Sequence, residues 1–196
     1  MFRVWELEFM NNLLRNVLTR RSIHSFDTRQ IKDEELTEIL ESGKLISTAV
    51  KNQPWHFTVI QNKSVLSKIN AKNSEAFLVY GHDLFKDRQS EEPLNFLKNA
   101  PTLLIISGKN DIKYAQDAAN TVFGSMMLAA EKFGIGSCWT HSLKMLFDSK
   151  EGKEIVDEIG LPPSYTPLCA GVFGYKEALS LPGTVCLNDD IVHIIR

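Results

Sequence analysis

The sequence predicts one α+β domain in which helices wrap a sheet. Three observations carry that expectation. Phe57-Thr58-Val59-Ile60 and Thr102-Leu103-Leu104-Ile105-Ile106-Ser107 are β-rich runs bounded by turn residues, and Pro167 to Gly174 reads as a third strand. The segments around them place apolar residues at three- and four-residue spacing, the period of a helix face. No repeat, linker or low-complexity stretch divides the 196 residues, so residues 1–196 read as a single domain.

Each element follows in turn. Met10, Leu13, Leu14, Val17 and Leu18 form one apolar stripe on a helix that ends near Thr19-Arg20-Arg21-Ser22. Leu36, Ile39 and Leu40 give a second helix, starting at an acidic cap at Asp33 and running to about Gly43. A loop through Gln53-Pro54 leads into the first strand. Residues 71–100 are polar and irregular and contain Pro93, so they read as a surface excursion or lid. The strand at 102–107 opens after Pro101 and is continuously apolar, as a strand buried on both faces would be. Between Ala115 and Phe133, residues such as Val122, Phe123, Met126 and Met127 make much of the circumference apolar, which predicts a central helix closed by Gly134. Two short helices, about 142–147 and 149–159, precede the last strand, and the tail carries an apolar run at Ile191–Ile195.

Composition narrows the function. Hydrophobic residues at 43%, charged residues at 23%, 11 Gly and 7 Pro are those of a globular protein, and a chain of this length removes about 70% of its extended surface from water on folding. The 22 Lys and Arg against 24 Asp and Glu give a net charge of -2, with no basic field to draw in nucleic acid. Cys138, Cys169 and Cys186 contain no C-x-x-C pair and read as reduced, mostly buried thiols of a cytoplasmic protein. The N-terminal stretch lacks the continuous apolar run of a signal peptide, and no segment approaches the roughly 20 apolar residues of a membrane span.

The common catalytic signatures are missing. There is no H-E-x-x-H, the five histidines lack ligand spacing, and no Ser-centred nucleophile elbow is present. Ser107-Gly108-Lys109 lacks the earlier glycine and following hydroxyl of a phosphate-binding loop, and Gly134-Ile135-Gly136 lacks the third glycine of a dinucleotide fingerprint. If the chain is an enzyme, its chemistry belongs to a bound cofactor and no metal is expected.

Three segments exceed what packing requires. Arg20-Arg21-Ser22-Ile23-His24 gathers three potential cations and a hydroxyl, which suits an anion and equally suits a solvated helix end. Asn52-Gln53-Pro54-Trp55-His56-Phe57 joins amide groups able to donate and accept hydrogen bonds to aromatics before a strand, and serves as well for a turn with a core Trp. Phe133-Gly134-Ile135-Gly136-Ser137-Cys138-Trp139 follows the central helix with glycines that let backbone N–H groups approach a flat ligand, or simply stop the helix.

In this order the segments resemble the nitroreductase family of FMN-dependent oxidoreductases, over roughly residues 12–175. Arg20-Arg21-Ser22-Ile23-His24-Ser25-Phe26 matches the family's R-R-S-x-R-x-F opening, and Gln53–Phe57 its Q-P-W-x-F. The alanine-rich helix closing at Gly134–Trp139 and the strand Ala170-Gly171-Val172-Phe173-Gly174-Tyr175 complete the match.

The resemblance implies a homodimer, each subunit with a central antiparallel sheet flanked by helices, holding FMN at the subunit interface. Arg20, Arg21 and Ser22 would hold the phosphate and ribityl chain, with His24 at the usual Arg or Lys position. Thr48, Ala49, Lys51, Asn52 and Gln53 would face the flavin, Lys51 offsetting the negative charge of its reduced form. Gly136 and Ser137 would approach the ring system from the partner side, and Cys138 would be packed rather than reactive. Many relatives carry basic phosphate ligands beyond the G-Y strand; here Lys176 is the candidate. The implied reaction is hydride transfer from NAD(P)H through flavin N5 to a nitroaromatic, quinone or similar small acceptor, in ping-pong order and with no side-chain catalyst. Residues 71–100 would lie above the flavin, with Phe77, Tyr80, Phe85 and Phe96 as candidate acceptor contacts. The alternatives are an FMN store or sensor with little turnover, and a specialised relative using another electron donor.

Overall fold

A computed structural model describes residues 12–46, 53, 55–80, 94–177 and 193–195. Its elements are α1 (Asn12–Thr19), α2 (Asp33–Lys44), β1 (Trp55–Ile60), α3 (Lys63–Tyr80), β2 (Thr102–Lys109), α4 (Ala115–Glu131), β3 (Ile135–Trp139), α5 (Ser142–Asp148), α6 (Lys150–Glu158) and β4 (Tyr165–Tyr175). The four strands form one sheet in the order β1-β2-β4-β3, and every pairing is antiparallel.

Alternation along β2 shows why the sheet needs helices on both faces. Leu104 and Ile106 point into a core with Ile39 of α2 and Val122, Phe123 and Met126 of α4. Leu103 and Ile105 point into the opposite core, with Leu66 and Ile69 of α3, Leu143 and Leu146 of α5 and Ile155 of α6. All four β2 residues are at most 2% exposed, as the continuous apolar run predicts. The α2–α4 layer is packed closely: a Cβ at Gly43 would stand 2.8 Å from Met126 Sδ. Helix α4 ends as expected, with Gly134 at a φ of +69° just beyond it.

Three expectations are corrected. The cap of α2 is Lys32, not Asp33, which is the first helical residue; Glu35 reaches back to accept the Lys32 N–H at 3.4 Å. Residues 71–80 are not part of an irregular excursion but the second half of α3. Its buried stripe runs through Leu66, Ile69, Asn73, Ala76 and Phe77, and the apolar period is masked because an asparagine occupies a core position. The Asn73 amide N–H donates to Ser142 Oγ at 2.8 Å, which offsets part of the cost of burying it, while its Oδ1 is buried without a partner. The rest of the excursion, residues 81–93, lies outside the described residues, as does Ile191–Val192 of the tail. Finally, Ile135–Trp139 is strand β3 rather than only a helix stop.

Among the described residues, no helix is long and apolar enough to cross a membrane, and no group of three or more His, Cys, Asp or Glu could hold a metal.

Candidate functional site

β3 lies at one end of the sheet and would present a bare row of backbone groups. The chain leaving α1 covers it. Ser22 bridges Ser137 in parallel register, the Ile23 N–H donates to the Ser137 carbonyl at 3.0 Å, and Phe26 bridges Lys176. The Asp27 N–H then donates to the Tyr175 carbonyl at 2.9 Å. Ile23 and Phe26 turn into the core and are nearly fully buried. Gly136 is required by this docking: a Cβ there would stand 2.6 Å from Ile23 Cγ1 and 3.0 Å from Lys176 Cγ.

The docked segment carries the predicted cations, and the structure gives them different tasks. Arg21 closes α1, its Nη1 donating to the Leu18 carbonyl at 2.9 Å and to that of Arg20 at 2.7 Å. Arg20 differs: its Nη1 is buried and has no hydrogen-bond partner. Ser22 and His24 lie beside the Cys138 thiol, the His24 Nδ1 at 3.9 Å from Sγ. Lys98, from the turn before β2, and Arg20 both act electrostatically on the same thiol. Arg20, His24 and Lys98 form no ion pair with a carboxylate among the described residues. Arg20 and Lys98 thus make a cation cluster without a carboxylate partner among the described residues, and with a buried free guanidinium N–H it is suited to an anion.

Lys176 is spoken for. Its ammonium donates to Glu131 Oε2 at 2.6 Å, and the Glu131 side chain is only 8% exposed, with Oε1 buried and unpartnered. Ser137 is fully buried, its Oγ without a partner, and Gly136 is sealed beneath Ile23. Gln53 is exposed at a φ of 41°, its carbonyl accepting the Trp55 N–H at 2.8 Å. Thr48, Ala49, Lys51 and Asn52 lie outside the described residues. Of the aromatics proposed as acceptor contacts, Phe77 is buried and its ring packs 4.8 Å from that of Phe96, whereas Tyr80 is exposed and Phe85 lies outside the described residues.

Sequence reasoning missed Lys98. It sits among apolar residues with no motif around it, and its only signal is a lone lysine before Pro101.

Two clefts open elsewhere. One of about 620 Å³ lies between α3 and residues 95–101, but its amides are largely committed to the chain, Gln30 to Pro101 and Thr102, and Asn70 to Leu94 and Leu97. The other, of about 250 Å³, lies beside Trp139, His141 and Leu168. Neither is lined by a residue of the cation cluster.

Among the described residues the two thiols, Cys138 and Cys169, are chemically quiet; Cys186 lies outside the described residues. Burial pushes the Cys138 thiol up, and Lys98, the Ser22 hydroxyl and Arg20 only partly oppose this; burial alone pushes Cys169 up to about 12. A raised pKa keeps each sulfur protonated, hence a poor nucleophile, at pH 8. A thiol-specific aromatic disulfide reagent is therefore expected to modify Cys138 and Cys169 only after denaturation, as mapped by peptide mass. Labelling of native Cys138 within seconds would contradict the packing.

The protein-family model described as "Nitroreductase family" matches residues 17–175. Among curated proteins, a provisionally named NADH dehydrogenase/NAD(P)H nitroreductase of Archaeoglobus fulgidus is 29% identical over 173 residues, covering 86% of this chain and 87% of that one. An NADPH-type FMN reductase of Bacillus subtilis is 24% identical over 184 residues, covering 87% of this chain and 68% of its own. A crystal structure of a nitroreductase with bound FMN from Bacteroides fragilis superimposes with a TM-score of 0.85 at 27% identity, covering 95% of this chain and 100% of that one.

Proposed function

This chain belongs to the nitroreductase family, and from that premise we propose that it is an FMN-dependent oxidoreductase using NAD(P)H to reduce a small acceptor. The observation that carries the reading is the buried, unpartnered Arg20 Nη1 in a cation cluster without a carboxylate. A buried guanidinium N–H left unbonded costs about 1–3 kcal/mol, a cost that a phosphate oxygen removes.

In this reading Arg20 and Ser22 bind the FMN phosphate, and His24, on the open side of the segment, contributes its ring N–H. Arg21 acts indirectly by fixing the end of α1, and so the direction in which Arg20 leaves it. Gln53 offers its amide to the polar edge of the flavin, and we assign the neighbouring Thr48, Ala49, Lys51 and Asn52 of the sequence to the same cofactor. Gly136 and Ser137 position the site from beneath: the glycine admits Ile23, and the strand holds Ser22 in register. Bound there, FMN would supply hydride chemistry between NAD(P)H and a nitroaromatic, quinone or similar acceptor, in ping-pong order. The side chains need only bind, orient and exclude water.

The assembly we propose is a homodimer with the flavin between subunits. Leu14 and Val17, each 49% exposed at helical spacing on α1, form an apolar stripe close to the cation cluster that a second copy would cover.

The test is the visible spectrum of the purified protein with FMN, followed by anaerobic NADH or NADPH. A bound-flavin spectrum that bleaches with either nucleotide and returns on adding a nitroaromatic or quinone is the expected result. A flavin spectrum that neither nucleotide bleaches would replace it with the store or other-donor reading, and absence of flavin binding would overturn it.

A further inference from the structure

We propose that Lys98 is a phosphate ligand of the flavin site, the cation that completes the charge Arg20 begins. This inference rests on the FMN reading above and assigns a residue that no motif identifies.

The turn carrying Lys98 is held in place from both sides. Leu97 and Ala100 are buried in the same core cluster as Ile23, Phe26 and Cys138, so the turn packs against the segment that docks on β3. Pro101 continues this contact, its Cδ standing 2.8 Å from where a Cβ of Gly174 would lie, with Phe26 Cδ1 at 3.1 Å from the same point. The Ala100 N–H donates to the Leu97 carbonyl at 2.9 Å, and Asn95 Nδ2 donates to Asn99 Oδ1 at 2.8 Å. Between these anchors Lys98 and Asn99 both adopt left-handed backbone, at φ of 54° and 55°. Non-glycine residues seldom do so, and surrounding structure must hold them there.

The consequence is electrostatic. A phosphomonoester carries between one and two negative charges at neutral pH, more than one guanidinium balances. Lys176, the sequence's candidate for the second cation, donates to a buried carboxylate of Glu131. Lys98 has no carboxylate partner among the described residues, and it shares the neighbourhood of the Cys138 thiol with Arg20. Two cations brought together without a counter-charge repel one another, and an anion between them relieves that repulsion.

The experiment compares FMN with riboflavin, which has the same ring system and no phosphate, by fluorescence titration of the apoprotein. Lys98→Gln is expected to weaken FMN binding about tenfold or more, the loss of one charge-assisted contact, with riboflavin affinity unchanged. Lys98→Arg is expected to restore FMN binding to within about threefold of the parent, because it keeps the charge. Equal FMN affinity in Lys98→Gln and parent would overturn the assignment while leaving the flavin reading intact. Equal weakening of FMN and riboflavin would also overturn it, since a structural role moves both. A parent protein that binds neither flavin would overturn both readings together.

Discussion

Replacing Arg20 by alanine is expected to weaken FMN binding by about a hundredfold and to leave riboflavin binding within a few-fold of the parent. The magnitude is the upper end for hydrogen bonds to a charged partner, about 1.5–3 kcal/mol, because Nη1 is buried and water cannot take over its role. A second readout separates this from damage to the fold. In the apoprotein Arg20 Nη1 is a buried donor with no acceptor, so its removal takes away an unfavourable group. The melting temperature of apo Arg20→Ala should therefore equal or exceed that of the parent. Unchanged FMN affinity would remove the phosphate from this corner of the molecule.

The second large effect lies in the core. Phe123 is fully buried on α4, its ring 5.0 Å from Trp139 at 69° and 5.7 Å from Phe173 at 79°, both edge-to-face. It also fills the space that Gly171 leaves, since a Cβ on that glycine would stand 2.6 Å from the Phe123 Cζ. Phe123→Ala is expected to cost about 3–5 kcal/mol, a large part of the roughly 5–15 kcal/mol that stabilises a domain. For this chain length that lowers the melting temperature by on the order of 10 °C. Because Phe123 wedges α4 against β3 and β4, its loss loosens the strand on which Ser22 and Ile23 dock. FMN and riboflavin should then weaken together, the opposite pattern to Arg20→Ala. A melting temperature within about 3 °C of the parent would show that the edge-to-face cluster is not the wedge described.

Much of the architecture is legible locally. α1, α2, α4, β1, β2 and β4 announce themselves because apolar period and bounding Gly or Pro are properties of neighbouring residues. The misreadings of α3 and β3 have one cause. In α3, Asn73 occupies a core position and breaks the apparent period, and the acceptor of its amide N–H, Ser142, lies 69 residues away. In β3, Gly136 depresses strand propensity, and the reason for a glycine there is Ile23, which arrives from the other side of α2 in the sequence.

The cation site divides in the same way. Arg20, Arg21 and Ser22 stand out as a cluster in the sequence, but their tasks do not. Arg21 is bound to the carbonyls ending α1, Lys176 is held by Glu131 from 45 residues earlier, and Arg20 is left with a free buried N–H. Lys98 carries no local signal; we assign it to the same site on a turn whose Leu97 and Ala100 belong to the buried core that holds Ile23. The sequence alone determined the helices and strands of regular period, α3 and β3 excepted, the family resemblance and the segment to which we assign the anion site. Tertiary structure decided which cations are already neutralised, because that depends on groups far apart along the chain whose proximity no local pattern encodes.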